Sequence, residues 1–173
     1  MRRDYEFVPV TRADLPMLGR WLEEPHVRAW WGPADWELKL IEGDLGTRPV
    51  DMRIVRRDGV PFAYVQDYPA HEWDMPHYRD EPEGTRAMDT FLGDPAWLGQ
   101  GHAARYLRQR AEDLIGAGCP AVVIDPSPDN AAALRAYRAA GFEGDAVRPN
   151  EDGAPVIPMR FTGRRRDTAS ACP

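Results

Sequence analysis

A glycine-bearing segment, Leu98-Gly99-Gln100-Gly101-His102-Ala103, has the composition of a site that binds an anion. It follows a predicted strand and opens a predicted helix, and its small residues let a ligand come close to the backbone. The first turn of a helix has N–H groups without intrahelical partners, and the helix dipole adds partial positive charge there. The segment therefore suits a pyrophosphate. It lacks the third glycine and the later acidic residue of a dinucleotide-binding fingerprint, and Gly-x-Gly alone also fits an ordinary turn into a helix.

Two aspartates, one in a predicted strand and one directly after another, are candidates for functional carboxylates. Asp89 lies in the predicted strand 87–92, where aspartate is disfavoured, and we interpret it as functional rather than as a surface charge. Asp125 follows the apolar run 121–124 and is equally consistent with a functional carboxylate or with a turn before Pro126. An aspartate of ordinary pKa is a poor base at neutral pH. We therefore expect Asp89 to act mainly through its charge, with water carrying the proton.

A succession of strands and helices must position these residues. Apolar alternation and β-branched runs predict strands, and apolar residues at helical spacing predict helices. The predicted strands are 5–9, 50–57, 61–68, 87–92, 121–124, 142–145 and 156–161, the last two forming a hairpin. The predicted helices begin near residues 11, 26, 35, 102 and 130. Asp58-Gly59 predicts a hairpin turn, and the irregular, acidic stretch 69–86 predicts a lid or binding loop.

Composition and charge narrow the functional classes. The 173 residues are 43% hydrophobic, which is enough for one domain with a core. The net charge of -6 argues against nonspecific nucleic-acid binding and is compatible with a cationic substrate. Cys119 and Cys172 are expected to be reduced, and neither a membrane-span run nor a signal peptide is recognisable, so a cytoplasmic protein is predicted. His26, His71 and His77 lack metal-ligand spacing, and no metal site is expected.

The segment 98–103 and a second motif downstream together resemble the GNAT (GCN5-related N-acetyltransferase) superfamily. The superfamily's cofactor loop reads Arg/Gln-x-x-Gly-x-Gly/Ala; here Gly101 and Ala103 fit the last two fixed positions, and Leu98 replaces the first. The second motif consists of Asp-Pro-Ser-Pro-Asp-Asn at 125–130 and Tyr-x-x-x-Gly-Phe at 137–142. It is similar to the family's strand end, the asparagine that opens the following helix, and the end of that helix.

A narrower resemblance is to the aminoglycoside 6'-N-acetyltransferases within this superfamily. Members of that group carry Trp-Trp-Gly after the first helices and a Tyr-x-Gln-x-Tyr strand, as residues 30–32 and 64–68 do here. They also have an aspartate on the strand before the cofactor loop, as Asp89 is here, and Leu-Gly-x-Gly in that loop. Leu98 therefore departs from the superfamily pattern but fits this branch, and the resemblance covers about residues 5–161.

The resemblance implies a fold and a reaction. The fold is a single α+β GNAT domain, residues 1–162, with a mixed, mostly antiparallel sheet flanked by helices, and residues 163–173 are expected to form a flexible basic tail. Two splayed central strands let the pantetheine arm enter the sheet. The reaction is transfer from acetyl-CoA to a primary amine of a cationic small molecule, with the 6'-amine of an aminoglycoside as the first choice. Direct transfer in a ternary complex is expected, because neither cysteine lies where a nucleophile is needed, and the protein is expected to be a monomer or homodimer without nucleic-acid or membrane partners.

The resemblance also implies site residues. Asp89 and Tyr137 are expected to be catalytic, Asp89 as the candidate base and Tyr137 as the donor to the CoA sulfur. His102 occupies a variable loop position and is expected to face solvent, and one of Trp30 and Trp31 is expected to line the pocket while the other packs inside. The residues expected to bind substrate are Trp30, Trp31, Gln66, Tyr68, Asp89 and Asp125. Those expected to bind the cofactor are Thr90, Phe91, Leu92, Leu98, Gly99, Gln100, Gly101, His102, Ala103, Ala104, Asn130, Ala133 and Tyr137.

Other functions remain open on the sequence. Acylation of a lysine-type amine in siderophore synthesis uses a similar fold, but its signature includes a histidine on the central strand, which here reads Ala-Met-Asp-Thr-Phe. Acetylation of polyamines or protein N-termini would also suit an acidic site. A module that binds acyl-CoA without turnover is the non-enzymatic alternative, against which the presence of Asp89 and Tyr137 argues.

Overall fold

The computed structural model describes residues 4–47 and 49–164, and in that part of the chain nine strands and five α-helices follow one another. The strands are β1 (Glu6–Pro9), β2 (Asp51–Arg57), β3 (Val60–Pro69), β4 (Arg86–Leu92), β5 (Val122–Ile124), β6 (Phe142–Glu143), β7 (Arg148–Pro149), β8 (Pro155–Val156) and β9 (Met159–Phe161). The helices are α1 (Leu15–Glu23), α2 (Pro25–Trp31), α3 (Ala34–Asp44), α4 (His102–Gly116) and α5 (Ala131–Ala140).

Seven of these strands form one sheet in the spatial order β1-β2-β3-β4-β5-β9-β6. Every neighbouring pair is antiparallel except β4 with β5, which is parallel. The predicted mixed, mostly antiparallel sheet is therefore confirmed. The predicted terminal hairpin is confirmed in its outer strands, β6 and β9, and β7 and β8 form a separate two-stranded ribbon between them.

The two central strands part after a very short contact. The β4–β5 register contains only the pairs Arg86↔Val122 and Ala87↔Val123, whereas β4 pairs with β3 along its whole length. Strand β5 ends at Ile124, and Pro126 has no N–H with which to continue a ladder. The rest of β4, residues 88–92, therefore presents an open backbone edge toward the gap, as the predicted splay required.

Alternation along the strands assigns each side chain to one of two layers. Ile54 and Tyr64 point toward the lobe made by α1, α2 and α3, and Val55 and Val65 point toward α4 and α5. Along β3 the same alternation places Gln66 and Tyr68 on the face of Tyr64. The register then sets Asp89 of β4 directly opposite Gln66. The Tyr-x-Gln-x-Tyr spacing therefore puts Tyr64, Gln66 and Tyr68 on one face of the sheet, beside Asp89.

The segment between β3 and β4 is a packed loop rather than a detached lid. It contains a short 3-10 helix, Pro76–Tyr78, whose His77 and Tyr78 side chains are buried. Arg160 of β9 forms an ion pair with Glu81 at 2.6 Å, and Ala70 N–H donates to Thr85 O. These contacts hold the loop against the end of β5.

No helix within residues 4–47 and 49–164 has the length and apolar character needed to cross a membrane.

The structure covers only the start of the C-terminal tail. Of the tail predicted at 163–173, residues 165–173 lie outside the described part of the chain.

Candidate active site

A cleft of about 570 Å³ opens between the end of β4, the first turns of α4 and α5, and helix α2. Its walls include every residue predicted to bind the cofactor except Gln100. The Gln100 side chain is turned away from the cleft, because its Nε2 donates to Ala96 O at 2.7 Å. Gln100 could therefore meet a ligand only through its backbone, and its role stays a prediction.

Two glycines give the loop before α4 its shape. Gly99 and Gly101 have φ angles of 72° and 73°, in the left-handed region that glycine adopts without strain. Arg105, one turn into α4, donates from its guanidinium to Gln100 O and Gly101 O at 2.9 and 3.3 Å. The loop carbonyls are thus held by a cation while the N–H groups at the start of α4 stay available for an anion. Sequence reasoning missed Arg105.

His102 was expected to face solvent, and the structure shows the opposite. Its side chain is 3% exposed, and its Nδ1 lies 2.9 Å from the Tyr5 hydroxyl. As the first residue of α4 it points back toward β1, where it packs among aromatic rings. Burial, together with the cations Arg105 and Arg57, lowers the pKa of His102. The neutral imidazole therefore helps to hold the loop in place through its packing and its contact with Tyr5.

The open edge of β4 offers backbone groups rather than side chains. The Thr90 hydroxyl is already bonded, to Tyr64 O at 2.6 Å and to the Tyr106 hydroxyl at 2.8 Å. His26 of α2 lies 2.7 Å from Leu92 O through its Nε2 and so ties the helical lobe to the end of β4. Sequence reasoning considered His26 only as a metal ligand and missed this contact.

Helix α5 begins at the cleft because Asn130 caps it. Asn130 Oδ1 accepts a hydrogen bond from the Ala133 N–H at 3.1 Å, as an N-cap does. Arg135 on this helix lines the cleft and was not predicted; a lone arginine on a helix gives no such signal. It adds a second cation near the start of α4, which suits a ligand carrying phosphate groups.

Asp89 directly precedes Thr90 on β4 and so lies next to the cleft without lining it. A short chain of hydrogen bonds holds it: the Tyr64 hydroxyl donates to Gln66 Oε1 at 2.7 Å, and Gln66 Nε2 donates to Asp89 Oδ2 at 2.8 Å. Burial, followed by the charge of Asp125, raises the pKa of Asp89 to about 7, while hydrogen bonds from Gln66 and Tyr68 act in the opposite direction. The assumption of an ordinary aspartate pKa is therefore wrong, because the sequence does not show the burial.

Asp125 stands beside this carboxylate at the end of β5, with 16% of its side chain exposed. His77 Nε2, from the loop between β3 and β4, lies 2.9 Å from Asp125 Oδ2. The ring of Tyr78 packs against that of His77, with 4.1 Å between centroids. Burial and the charge of Asp125 raise the pKa of the Tyr78 hydroxyl. The structure thus brings two acidic groups together, with the His77 ring and the Tyr78 hydroxyl beside them.

Tyr137 faces the cleft from α5. Burial is the main cause that raises its pKa, and the charges of Asp89 and Asp125 act in the same direction. Its hydroxyl therefore keeps its proton at physiological pH and can donate it to a developing anion.

The aromatic residues divide into cleft walls and surface groups. Trp30 and Trp31 both line the cleft, Trp31 packing edge-on against Phe91 with 4.9 Å between centroids, and Trp30 remaining 49% exposed. As expected, one of the two packs inside, because Trp31 also contacts the core residue Tyr64, although it lines the cleft as well. Trp73 packs edge-on against Tyr68, 5.3 Å away, at the rim of the acidic pair.

The arrangement can hold an anionic, elongated ligand along the cleft and a cationic group at its inner end. A neutral donor, Tyr137, and a carboxylate of near-neutral pKa, Asp89, are both available there. These are the groups that proton transfer during attack by an amine requires.

Comparisons with known proteins give the same outline. A family profile described as an acetyltransferase (GNAT) domain matches residues 10–147. The aminoglycoside N(6')-acetyltransferase type 1 of Klebsiella pneumoniae is 31% identical over 156 residues, which cover 85% of this chain and 78% of that protein. The structure of AAC(6')-Ib with ribostamycin and coenzyme A has a TM-score of 0.81 at 27% identity, covering 98% of this chain and 99% of the other. The structure of AAC(6')-Ib with coenzyme A and kanamycin has a TM-score of 0.79 at 29% identity, covering 94% and 95%.

The profile spans most of the chain, and its span includes the open edge of β4, the glycine turn before α4 and the start of α5 that together form the cleft. The chain is an acyltransferase and belongs to the GNAT acetyltransferase family.

Proposed function

We propose that the protein transfers the acetyl group of acetyl-CoA to the 6'-amine of an aminoglycoside. The observation that carries the proposal is the position of Asp89, whose pKa is raised to about 7 and which lies where the open edge of β4 meets a second carboxylate, Asp125. One carboxylate can accept a proton near neutral pH, and the other can hold a further cationic group of a polyamine sugar. Acetyl-CoA fits this site as the co-substrate, since the relatives of known structure bind coenzyme A.

Binding of the co-substrate rests on backbone groups. The N–H groups at the start of α4 and the guanidinium of Arg135 would hold the phosphates. Residues 88–92 of β4 would pair with the amide groups of the pantetheine arm, in the manner of an added strand. A β4 N–H pointing into the gap would then donate to the thioester oxygen and stabilise the charge that develops on it.

The acidic pair would act on the amine. Asp89, with a pKa of about 7, accepts a proton from the substrate ammonium directly or through a water molecule, leaving a neutral nucleophile. The amine nitrogen then bonds to the thioester carbon and loses a second proton to solvent as the carbon–sulfur bond breaks. Tyr137 donates its proton to the departing sulfur and regains one from solvent. The net products are the N-acetylated amine, the free thiol and one proton.

Aromatic walls and net charge support a cationic sugar. Trp30 and Trp31 present ring faces on which sugar CH groups and ammonium groups can pack. The net charge of -6 favours approach of a polycation. A cytoplasmic location is part of the proposal, because the reaction consumes acetyl-CoA.

An assay of free thiol released from acetyl-CoA tests the proposal. It compares four amine substrates: kanamycin, a kanamycin analogue with a hydroxyl in place of the 6'-amine, spermidine and a lysine derivative. We expect release with kanamycin and none with the 6'-hydroxyl analogue, and mass spectrometry of the product should place one acetyl group at the 6'-nitrogen. Release with only the lysine derivative or only spermidine would favour those substrates instead. No release with any amine, despite binding of acetyl-CoA, would support a non-enzymatic module.

A further inference from the structure

His77 is a buried, titratable residue that the mechanism above does not use. Its side chain is 0% exposed and lies in the 3-10 helix of the loop between β3 and β4. Its Nε2 lies 2.9 Å from Asp125 Oδ2, but the approach is off the axis of a hydrogen bond, so that neither ring nitrogen has an aligned partner among the described protein atoms. A buried imidazole costs free energy unless its nitrogens are used. Its direction toward a carboxylate of the acidic pair points to a role there.

We propose that His77 is a positioning residue that fixes the Asp125 carboxylate for binding a second ammonium group of the substrate. The inference rests on the proposed acetylation of an aminoglycoside, since that substrate carries several amines. His77 does not touch the reacting atoms; it acts through Asp125 on the affinity for the amine substrate.

The location of Asp125 explains why such a residue is needed. It directly follows β5, at the point where pairing with β4 has already ended. A carboxylate on a strand end without a ladder partner has several accessible rotamers, and freezing them lowers binding affinity. A donor from a neighbouring element selects one rotamer before the substrate arrives, which is the preorganisation that binding sites require.

The loop that carries His77 is rigid enough to act as a support. The Glu81–Arg160 ion pair ties it to β9, which lies next to β5 in the sheet. Thr85 Oγ1 donates to Pro82 O at 2.7 Å and Ala70 N–H donates to Thr85 O at 2.8 Å, and these bonds close the loop on itself. The donor therefore arrives from a fixed wall rather than from a mobile segment.

The other groups around the acidic pair differ from His77 in chemical type. Asp89 on β4 and Glu151 in the turn between β7 and β8 are carboxyl groups whose charges oppose that of Asp125 rather than attract it. The hydroxyl groups of Tyr68, Tyr78 and Tyr137, on β3, on the loop and on α5, stay neutral because burial raises their pKa values. The Tyr78 ring packs on that of His77, and its hydroxyl, which has no aligned hydrogen-bond partner among the described residues, is a second neutral group near Asp125. His77 supplies the nitrogen that lies 2.9 Å from this carboxylate.

The test compares His77→Phe, which keeps the ring volume without a donor, with His77→Gln, whose amide nitrogen can reach the same carboxylate. We expect His77→Phe to raise the KM for kanamycin by up to about tenfold, the low end of the range for a hydrogen bond to a charged group, because the contact is off the hydrogen-bond axis. The kcat and the KM for acetyl-CoA should change by less than about twofold, and His77→Gln should restore most of the kanamycin affinity.

A matched control and a double-mutant cycle separate positioning from general loop stability. His71→Phe removes an imidazole from the same loop that contacts backbone rather than Asp125, and it should leave the KM for kanamycin unchanged. In an Asp125→Asn background, His77→Phe should have little further effect, because the group it positions has already lost its charge. Isothermal titration with kanamycin gives the same comparison without turnover.

Three outcomes would overturn the inference: an unchanged kanamycin affinity in His77→Phe, an equal effect of His71→Phe, or effects of His77→Phe and Asp125→Asn that simply add. Failure of the proposed function looks different. In that case the wild-type protein would neither bind nor acetylate kanamycin. An active wild type with unaffected His77 variants would refute the role of His77 alone. Should His77→Phe fail to fold, His77→Leu, which also lacks a donor, takes its place in the same comparison and in the Asp125→Asn cycle.

Discussion

Replacing Asp89 by asparagine tests the central group of the site. The substitution removes a titrating oxygen but nearly conserves shape, and the asparagine oxygen can still accept the hydrogen bond from Gln66 Nε2, which is 2.8 Å long in the wild type. With a pKa of about 7, Asp89 is about half ionised at pH 7 and about nine-tenths ionised at pH 8. It is therefore in its proton-accepting form when the substrate still arrives largely as an ammonium ion.

The size of the effect follows from this assignment. General acid–base catalysis contributes about 10²- to 10⁴-fold to a rate. We expect kcat of Asp89→Asn to fall by about 10²-fold or more at pH 8. The dissociation constant of acetyl-CoA should stay within about twofold, because Asp89 is not among the residues that line the cleft. The wild-type profile of kcat/KM should show an acid limb near pH 7, and the variant should lack it.

The same variant should change stability in a defined direction. Because the folded-state pKa of Asp89 is raised, the folded wild type holds more protons than the unfolded chain between about pH 4 and 7. Wild-type stability therefore contains a contribution that falls as pH rises through that window, by at most about 1.4 kcal/mol per pH unit. Asp89→Asn has no such contribution, so its melting temperature relative to wild type should rise from pH 4 to 7 and then level off.

Thiol release under saturating acetyl-CoA measures the rate, and calorimetry measures cofactor binding. Asp58→Asn is a suitable control, because Asp58 is an exposed carboxylate at a hairpin tip with a φ of 51°, which asparagine tolerates. Full activity of Asp89→Asn, or an acid limb that survives the substitution, would show that the base is another group. Lost cofactor binding would show that Asp89 is misplaced.

Three other substitutions examine the surrounding groups. Tyr137→Phe should lower kcat about 10²-fold with acetyl-CoA affinity nearly unchanged, since the hydroxyl is the proposed donor to sulfur; an unchanged rate of thiol release would exclude that role. Gln66→Leu removes a hydrogen bond that lowers the pKa of Asp89, so the acid limb of kcat/KM should move to higher pH, and a fixed limb would contradict the assignment. Gly101→Ala should cost about 1 kcal/mol of stability at its φ of 73° and should weaken acetyl-CoA binding by calorimetry. Gly118→Ala, also left-handed but outside the cleft, should cost stability only.

The sequence predicts the framework of the site because that framework depends on local patterns. A glycine-bearing turn before a helix, an asparagine cap and a strand followed by Pro126 each determine backbone shape within a few residues. The loop at 98–103 and the start of α5 were therefore found from the sequence, and the splay of β4 from β5 followed from the resemblance. The site roles of these residues remain predictions.

Contacts that depend on long-range packing could not be predicted from the sequence. His77 sits in an irregular loop with no periodicity, and nothing local indicates that it meets Asp125. The prediction for His102 was wrong because a loop position whose residue type varies was taken to be exposed to solvent. In the structure Tyr5, just before β1, contacts the His102 ring. The Gln66↔Asp89 register was equally hidden, since a long loop rather than a tight turn connects β3 and β4.

The two carboxylates affect each other, and that coupling has a consequence for catalysis. The charge of Asp125 is one cause of the raised pKa of Asp89. An ammonium group bound at Asp125 offsets that charge and adds a cation near Asp89, so substrate binding should lower the pKa of Asp89. The profile of kcat/KM reports the free enzyme and the profile of kcat reports the ternary complex. The acid limb of kcat should therefore lie at lower pH than that of kcat/KM for kanamycin, and the two should approach each other for a monoamine, which leaves Asp125 unpaired. Equal limbs for both substrates would mean that Asp125 and Asp89 act independently.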